Sequence, residues 1–195
     1  MAIVSGKTAT FITMTVVIMT IQFGMGQVVS SNCCPTNVEV VSSFDVSKYL
    51  GLWYEYAKYP TYFEADGVCI TAEYSLLDDG LVGVKNSQVN GTTGQPDVTL
   101  GNATVVSNAK LLVKFPVSPV YTVSSNYWVL DTDYTTYSVV YSCQELPNSQ
   151  SSTIVWILTR ERLPSEKTIE TALAVLKKNG ISLDPLTITN QVACC

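Results

Sequence analysis

Six cysteines and no histidine set the chemistry open to this 195-residue chain. Without an imidazole, Ser-His-Asp and Cys-His catalysis, the usual zinc sites and a His-ligated haem are all excluded. Carboxylates pair at Asp78-Asp79 and at Asp131/Asp133, but both pairs sit among turn-forming residues and read as turn formers. Glu55 stands alone and cannot run a two-carboxylate mechanism. There is no Gly-rich phosphate loop and no G-x-S-x-G elbow. The cysteines are Cys33, Cys34, Cys69, Cys143, Cys194 and Cys195, and none forms a C-x-x-C pair, so disulfides are expected and a metal site is not. Adjacent cysteines bridge each other only with strain, which leaves Cys33/Cys34 and Cys194/Cys195 to bond elsewhere and staple both chain ends to the body. The composition therefore excludes more enzymes than it suggests, and no enzyme is expected.

Disulfides imply export, and the N-terminus agrees. Residues 1–26 read as a secretory signal: Lys7 is their only charge, Phe11 to Phe23 form an apolar stretch diluted by threonine, and Gly24-Met25-Gly26 supplies small residues for cleavage before Gln27. A retained membrane anchor is the competing reading of the same segment. No later apolar run approaches the roughly 20 residues of a spanning helix, so the mature chain is expected to be secreted and extracellular, and not an integral membrane protein. Sequons at Asn90-Gly91-Thr92 and Asn102-Ala103-Thr104 fit a glycoprotein. At 47% hydrophobic and 14% charged the chain is too apolar to be disordered, and a net charge of −5 argues against nucleic acid as a partner.

The elements that must position any site are short and β-rich. Candidate strands run near Leu52–Tyr59, Cys69–Leu77, Leu81–Val89, Val98–Val106, Lys110–Phe115, Tyr121–Leu130, Tyr134–Cys143 and Thr153–Arg160. Asp78-Asp79-Gly80, Asn90-Gly91, Gly94-Gln95-Pro96, Asn108-Ala109 and Pro147-Asn148 mark turns between them. Eight such strands define an all-β sandwich or an antiparallel up-and-down barrel. One helix follows, capped by Ser165 and closed by Lys177, Lys178 and Gly180; Ile169, Ala172, Leu173 and Leu176 share one face that packs on the outside of the sheet. A short strand is expected after Pro185. The first strand is ambiguous: either Trp53, Glu55, Ala57 and Tyr59 face inward, or Leu52, Tyr54, Tyr56 and Lys58 do.

Three separated segments resemble the three signatures of the lipocalins. They are Gly51-Leu52-Trp53 at the first strand, Thr132-Asp133-Tyr134 after the sixth, and Arg160 at the end of the eighth. The likeness spans about Phe44 to Cys195, and GLWYEYAKYP followed by Cys69 is most similar to the subgroup of insect bilin-binding proteins and apolipoprotein D. The resemblance implies an eight-stranded barrel over residues 44–195, with a C-terminal helix outside and residues 27–43 tied on as an N-terminal segment. It implies that Trp53 plugs one end with Arg160 across it, a structural cation–π contact, and it favours the register with Trp53 inward. It also implies bonds from Cys34 (or Cys33) to Cys143 and from Cys69 to Cys194 (or Cys195), which leaves the two extra cysteines to bond each other, stay free or bridge two molecules.

With Cys69 and Cys143 pointing outward, alternation turns Ile70, Ala72 and Tyr74 inward, with Ser138, Val140, Ser142 and Gln144. The subgroup's lining positions add Asn86, Gln88, Ser125, Tyr127, Val129, Ile154 and Trp156, beside Glu55, Ala57 and Tyr59, and the loop Thr61–Glu64 with Phe63 stands at the mouth. The implied function is carriage of a small hydrophobic ligand by burial, with no cofactor required. The ligand expected is a bilin of the biliverdin type or a lipid such as a fatty acid, sterol or retinoid. Relatives meet bilins with basic or histidine side chains, a role that here falls to Lys85 or Lys114. Two further readings stand beside it: a disulfide-assembled interaction protein or inhibitor, homo-oligomeric through its spare cysteines, and an enzyme built on a cavity thiol.

Overall fold

The computed structural model describes residues 27–192 and 194, so residues 1–26, read above as a signal, lie outside the described residues with Ala193 and Cys195. In chain order the elements are β1 (Val28–Ser30), α1 (Val46–Tyr49), β2 (Gly51–Lys58), a 3-10 turn at Tyr62–Glu64, β3 (Gly67–Leu76), β4 (Val82–Asn90), β5 (Pro96–Ser107) and β6 (Lys110–Ser118). Then come β7 (Tyr121–Thr132), β8 (Tyr137–Leu146), β9 (Gln150–Thr159), α2 (Glu166–Lys178) and β10 (Thr187–Ile188). Strands β2 to β9 pair antiparallel with their neighbours, and β9 pairs back onto β2 to close an eight-stranded barrel. Closure removes the free sheet edges that such a run of hydrophobic strands would otherwise expose.

The eight strands fall where turn chemistry and period-two patterning put them. At the β3–β4 turn the Asp79 carboxylate accepts from Leu81 N at 3.0 Å; at β4–β5 Asn90 Oδ1 accepts from Thr92 N at 3.0 Å and from Thr93 N at 2.8 Å. Ser165 caps α2 by accepting from Thr168 N at 3.2 Å. Of the expected helix stripe Ala172 and Leu176 are fully buried, and Val175 joins them. Two short elements were beyond the sequence reading: β1, which pairs with β9, and α1, which Asp45 caps. β1 takes the edge of β9 at residues 151–153, and β10 takes the edge of β2 at Ala57 and Lys58.

Two apolar layers result. Inside the barrel Trp53, Tyr74, Val84, Leu111, Val113, Val129, Val140 and Leu158 pack together; outside, Tyr141, Val155 and Ile157 meet Ala172 and Leu176 of α2. Disulfides Cys34–Cys143 and Cys69–Cys194 tie the N-terminal segment to β8 and the C-terminal tail to β3. Both lie outside the barrel wall, where Cys143 packs in the layer beneath α2.

Candidate binding well

One end of the barrel is sealed. Gly51 has φ +91°, a conformation that L side chains resist, and this sets the entry of β2 under the Arg160 guanidinium. Arg160 lies 3.7 Å over the Trp53 ring. Its donors reach Leu52 O at 2.7 Å, Leu50 O at 2.9 Å, Tyr134 O at 3.0 Å and Lys48 O at 3.1 Å. Thr132 Oγ1 donates to Tyr137 O at 2.6 Å, and Asp133 Oδ1 accepts three backbone N–H groups from Thr135, Thr136 and Tyr137. The three sequence signatures therefore meet at one place, and what they do there is close the barrel.

Above the seal lies a floor of phenols. Tyr49 Oη is 2.8 Å from both Ser138 Oγ and Tyr127 Oη, and Tyr127 Oη is 2.8 Å from Tyr74 Oη. Burial pushes Tyr49 up to about 12 and raises Tyr74 and Tyr127 well above the ordinary phenol range, so the chain stays neutral.

The lining of β2 departs from expectation, and a bulge is the reason. Glu55 pairs with Leu158, yet Ala57 pairs with Ile157, so one extra residue, Tyr56, shifts the register between them. A bulge reverses the alternation beyond it. Ala57 and Tyr59 accordingly face outward beneath α2, where Tyr59 Oη donates to Ser182 O at 2.5 Å, and they do not line the well. Lys58 turns inward in their place. It is 7% exposed and lies 3.2 Å from Glu55 Oε1 and 3.2 Å from Glu64 Oε2, which hangs from the 3-10 turn at the mouth. Glu55, 2% exposed, accepts from Thr189 Oγ1 at 2.5 Å, and Glu64 accepts from Thr61 Oγ1 at 3.0 Å. Desolvation first, and then the nearby Glu64 charge, push Glu55 up to about 7 against the pull of Lys58. The sequence offered Lys58 an inward place only in the register that turns Glu55 out; that both face inward, with Glu64 beside them, was missed because nothing in the sequence marks the bulge.

The remaining expected lining residues fall in three zones. Ala72, Tyr74 and Val129 are buried in the closed half. Ile70 and Gln88 pack together on Gly67, where a Cβ would lie 2.8 Å from Ile70 Cδ1 and 2.3 Å from Gln88 Oε1. Ser125 Oγ lies 3.0 Å from Ser142 Oγ, and Ile154 is paired opposite Ser142. Asn126 bridges the gap where β7 leaves β8, accepting from Cys143 N at 3.0 Å and donating to Cys143 O at 2.6 Å. Trp156 stacks on Tyr127 at 6.4 Å between ring centroids. Asn86, Gln88, Ser125, Tyr127 and Trp156 face inward and are nonetheless only half-buried, so the barrel is open from this side. Phe63 is 45% exposed at the rim, and Gln144 is exposed there too. Lys85 and Lys114 stand on the outer wall, with Lys85 paired to Glu73, and neither reaches the well.

The closed antiparallel barrel thus has one end plugged by Trp53 and Arg160 and the other lined by half-buried aromatic, hydroxyl and amide side chains. The match of residues 44–191 to the lipocalin-like domain model establishes that the chain belongs to the lipocalin family. The Lazarillo protein of Schistocerca americana is 42% identical over 159 residues, covering 78% of this chain and 72% of that one. Apolipoprotein D of Oryctolagus cuniculus is 38% identical over 180 residues, covering 89% and 90%. The insecticyanin structure from the tobacco hornworm Manduca sexta superposes with a TM-score of 0.76 at 29% identity, over 85% of this chain and 89% of that one.

Proposed function

We propose that this protein is a secreted carrier that buries one small, flat hydrophobic ligand in the well, a bilin of the biliverdin type or a lipid such as a sterol, retinoid or fatty acid. The observation that carries this reading is the set of inward-facing yet half-buried side chains headed by Trp156 and Tyr127, which offers a ring-sized apolar wall beside the hydroxyls and amides of Ser125, Asn86 and Gln88. Apolar surface leaving water gains about 25 cal/mol per Å², and a preformed barrel adds little ordering cost. The wall is braced by disulfides at two sites, in keeping with export. The proposal includes removal of residues 1–26 and glycans at Asn90 and Asn102, which stand at the end of β4 and on β5. No cofactor is needed for the fold, and a bound bilin would be cargo.

Biliverdin titrated into the secreted protein tests the sharper half. A saturable red-shifted visible band identifies a bilin carrier; no band, with saturable tryptophan quenching by retinol, identifies a lipid carrier. Absence of both removes the reading. A second reading, assembly through disulfides, draws on Cys33, whose thiol is free among the described residues and exposed at the surface. Reducing and non-reducing gels separate it. Among the described residues a thiol enzyme draws no support, since Cys34, Cys69, Cys143 and Cys194 are all bonded and Cys33 lies outside the barrel.

A further inference from the structure

The ionisable groups inside the barrel bear on which head group the well accepts. Among the described residues Lys58 is the one cation that faces inward. Its ammonium has three donors, and three acceptors surround it: Glu55 Oε1 and Glu64 Oε2 at 3.2 Å and the Glu64 carbonyl at 3.3 Å. All three donors are engaged, two of them by carboxylates, so none is left for a further anion. Asp97 stands at the rim in register with Gln88 and accepts from Gln88 Nε2 at 3.1 Å. Gln88 Oε1 is buried without a partner. The interior thus holds two carboxylates, Glu55 and Glu64, to one ammonium, with the Asp97 carboxylate added at the exposed rim.

From this we infer that the well selects amphiphiles whose polar head is a neutral hydrogen-bond donor or a cation, and discriminates against carboxylate heads. The inference rests on the carrier reading. A carboxylate drawn into the well loses its water and meets like charge, with no free cation to compensate. A hydroxyl or ammonium head meets acceptors already in place. A bilin is admitted on these terms only with its propionates left in water at the mouth. The discrimination is built from repulsion as much as attraction, which is how small sites separate ligands that share one apolar body.

Three retinoids with one polyene and different heads test it by tryptophan quenching on the secreted chain at pH 7.5. Retinol and retinylamine are expected to bind at least about tenfold more tightly than retinoic acid. Glu64→Gln, which frees part of the Lys58 charge, is expected to narrow that ratio to about threefold or less. If Glu64→Gln does not fold, Asp97→Asn at the rim is expected to move the ratio in the same direction. Retinoic acid binding as tightly as retinol, or more tightly, overturns the inference while leaving the carrier reading intact. No binding of any of the three overturns both.

Discussion

Arg160 carries the closed end. Its guanidinium serves five backbone carbonyls, those of Lys48, Tyr49, Leu50, Leu52 and Tyr134, while lying over Trp53, a task that needs a planar fork and a permanent charge. Arg160→Ala is expected to cost about 3 kcal/mol, from stranded carbonyls and a lost cation–π contact. Lysine at this position should restore less than half of it. Urea unfolding midpoints measure both, and an alanine variant as stable as the parent contradicts this role. Glu55 makes a pH-dependent contribution of the opposite kind. Its carboxyl sits at about 7 in the folded protein against an ordinary 4.5, so the folded state holds the proton more tightly than the unfolded chain. The associated stability is fully present below pH 4.5 and is lost as pH rises through about 7. Relative to Glu55→Gln, the parent is therefore expected to lose up to about 3 kcal/mol between pH 4.5 and 8. A difference between the two proteins that stays constant across that range contradicts the assignment.

At the scale of elements, the bulge in β2 decides which side chains meet the ligand. Ala57 lies under α2, so Ala57→Leu is expected to overpack that layer and cost about 1–3 kcal/mol while ligand affinity stays within about twofold. Thermal melts and a quenching titration on the same variant separate the two effects. Affinity lost with stability unchanged would return Ala57 to the well. The tail depends on a staple: β10 adds only two residues to β2, and Cys69–Cys194 holds its distal end across a separation of 125 residues. Replacing both cysteines by serine is expected to cost about 2–5 kcal/mol, and to release Thr189 from Glu55, read as early hydrogen exchange at Thr189. Strands, turns and α2 were legible because Gly, Asn and Asp at turns and alternating apolar residues act locally. The bulge was not, because Glu55 and Lys58 are three apart and no regular strand puts both inside. β1 and α1 escaped for a related reason: each is too short for a period and exists through tertiary pairing and a single cap.

The whole molecule is a barrel sealed by residues far apart in sequence and opened where its interior turns polar. The seal could be read from Gly51-x-Trp53, Thr132-Asp133-Tyr134 and Arg160, since each has a fixed task in that geometry. The well could be read only in part: Asn86, Gln88, Ser125, Tyr127 and Trp156 follow simple alternation, whereas the Glu55–Lys58–Glu64 cluster needs the bulge and the mouth turn to exist. Trp156 is the reporter best placed to test whether this well is where a ligand goes. Trp53 is sealed beneath Arg160, and Trp128 lies on the outer wall with Lys110 4.2 Å over its ring. The decisive measurement is a retinol titration of the parent and of Trp156→Phe, followed both by protein quenching and by the ligand's own fluorescence. One-site saturable quenching in the parent is expected, with most of the amplitude lost in Trp156→Phe while retinol still binds. Quenching that fails to saturate, or that is unchanged in the variant, contradicts a binding well inside the barrel.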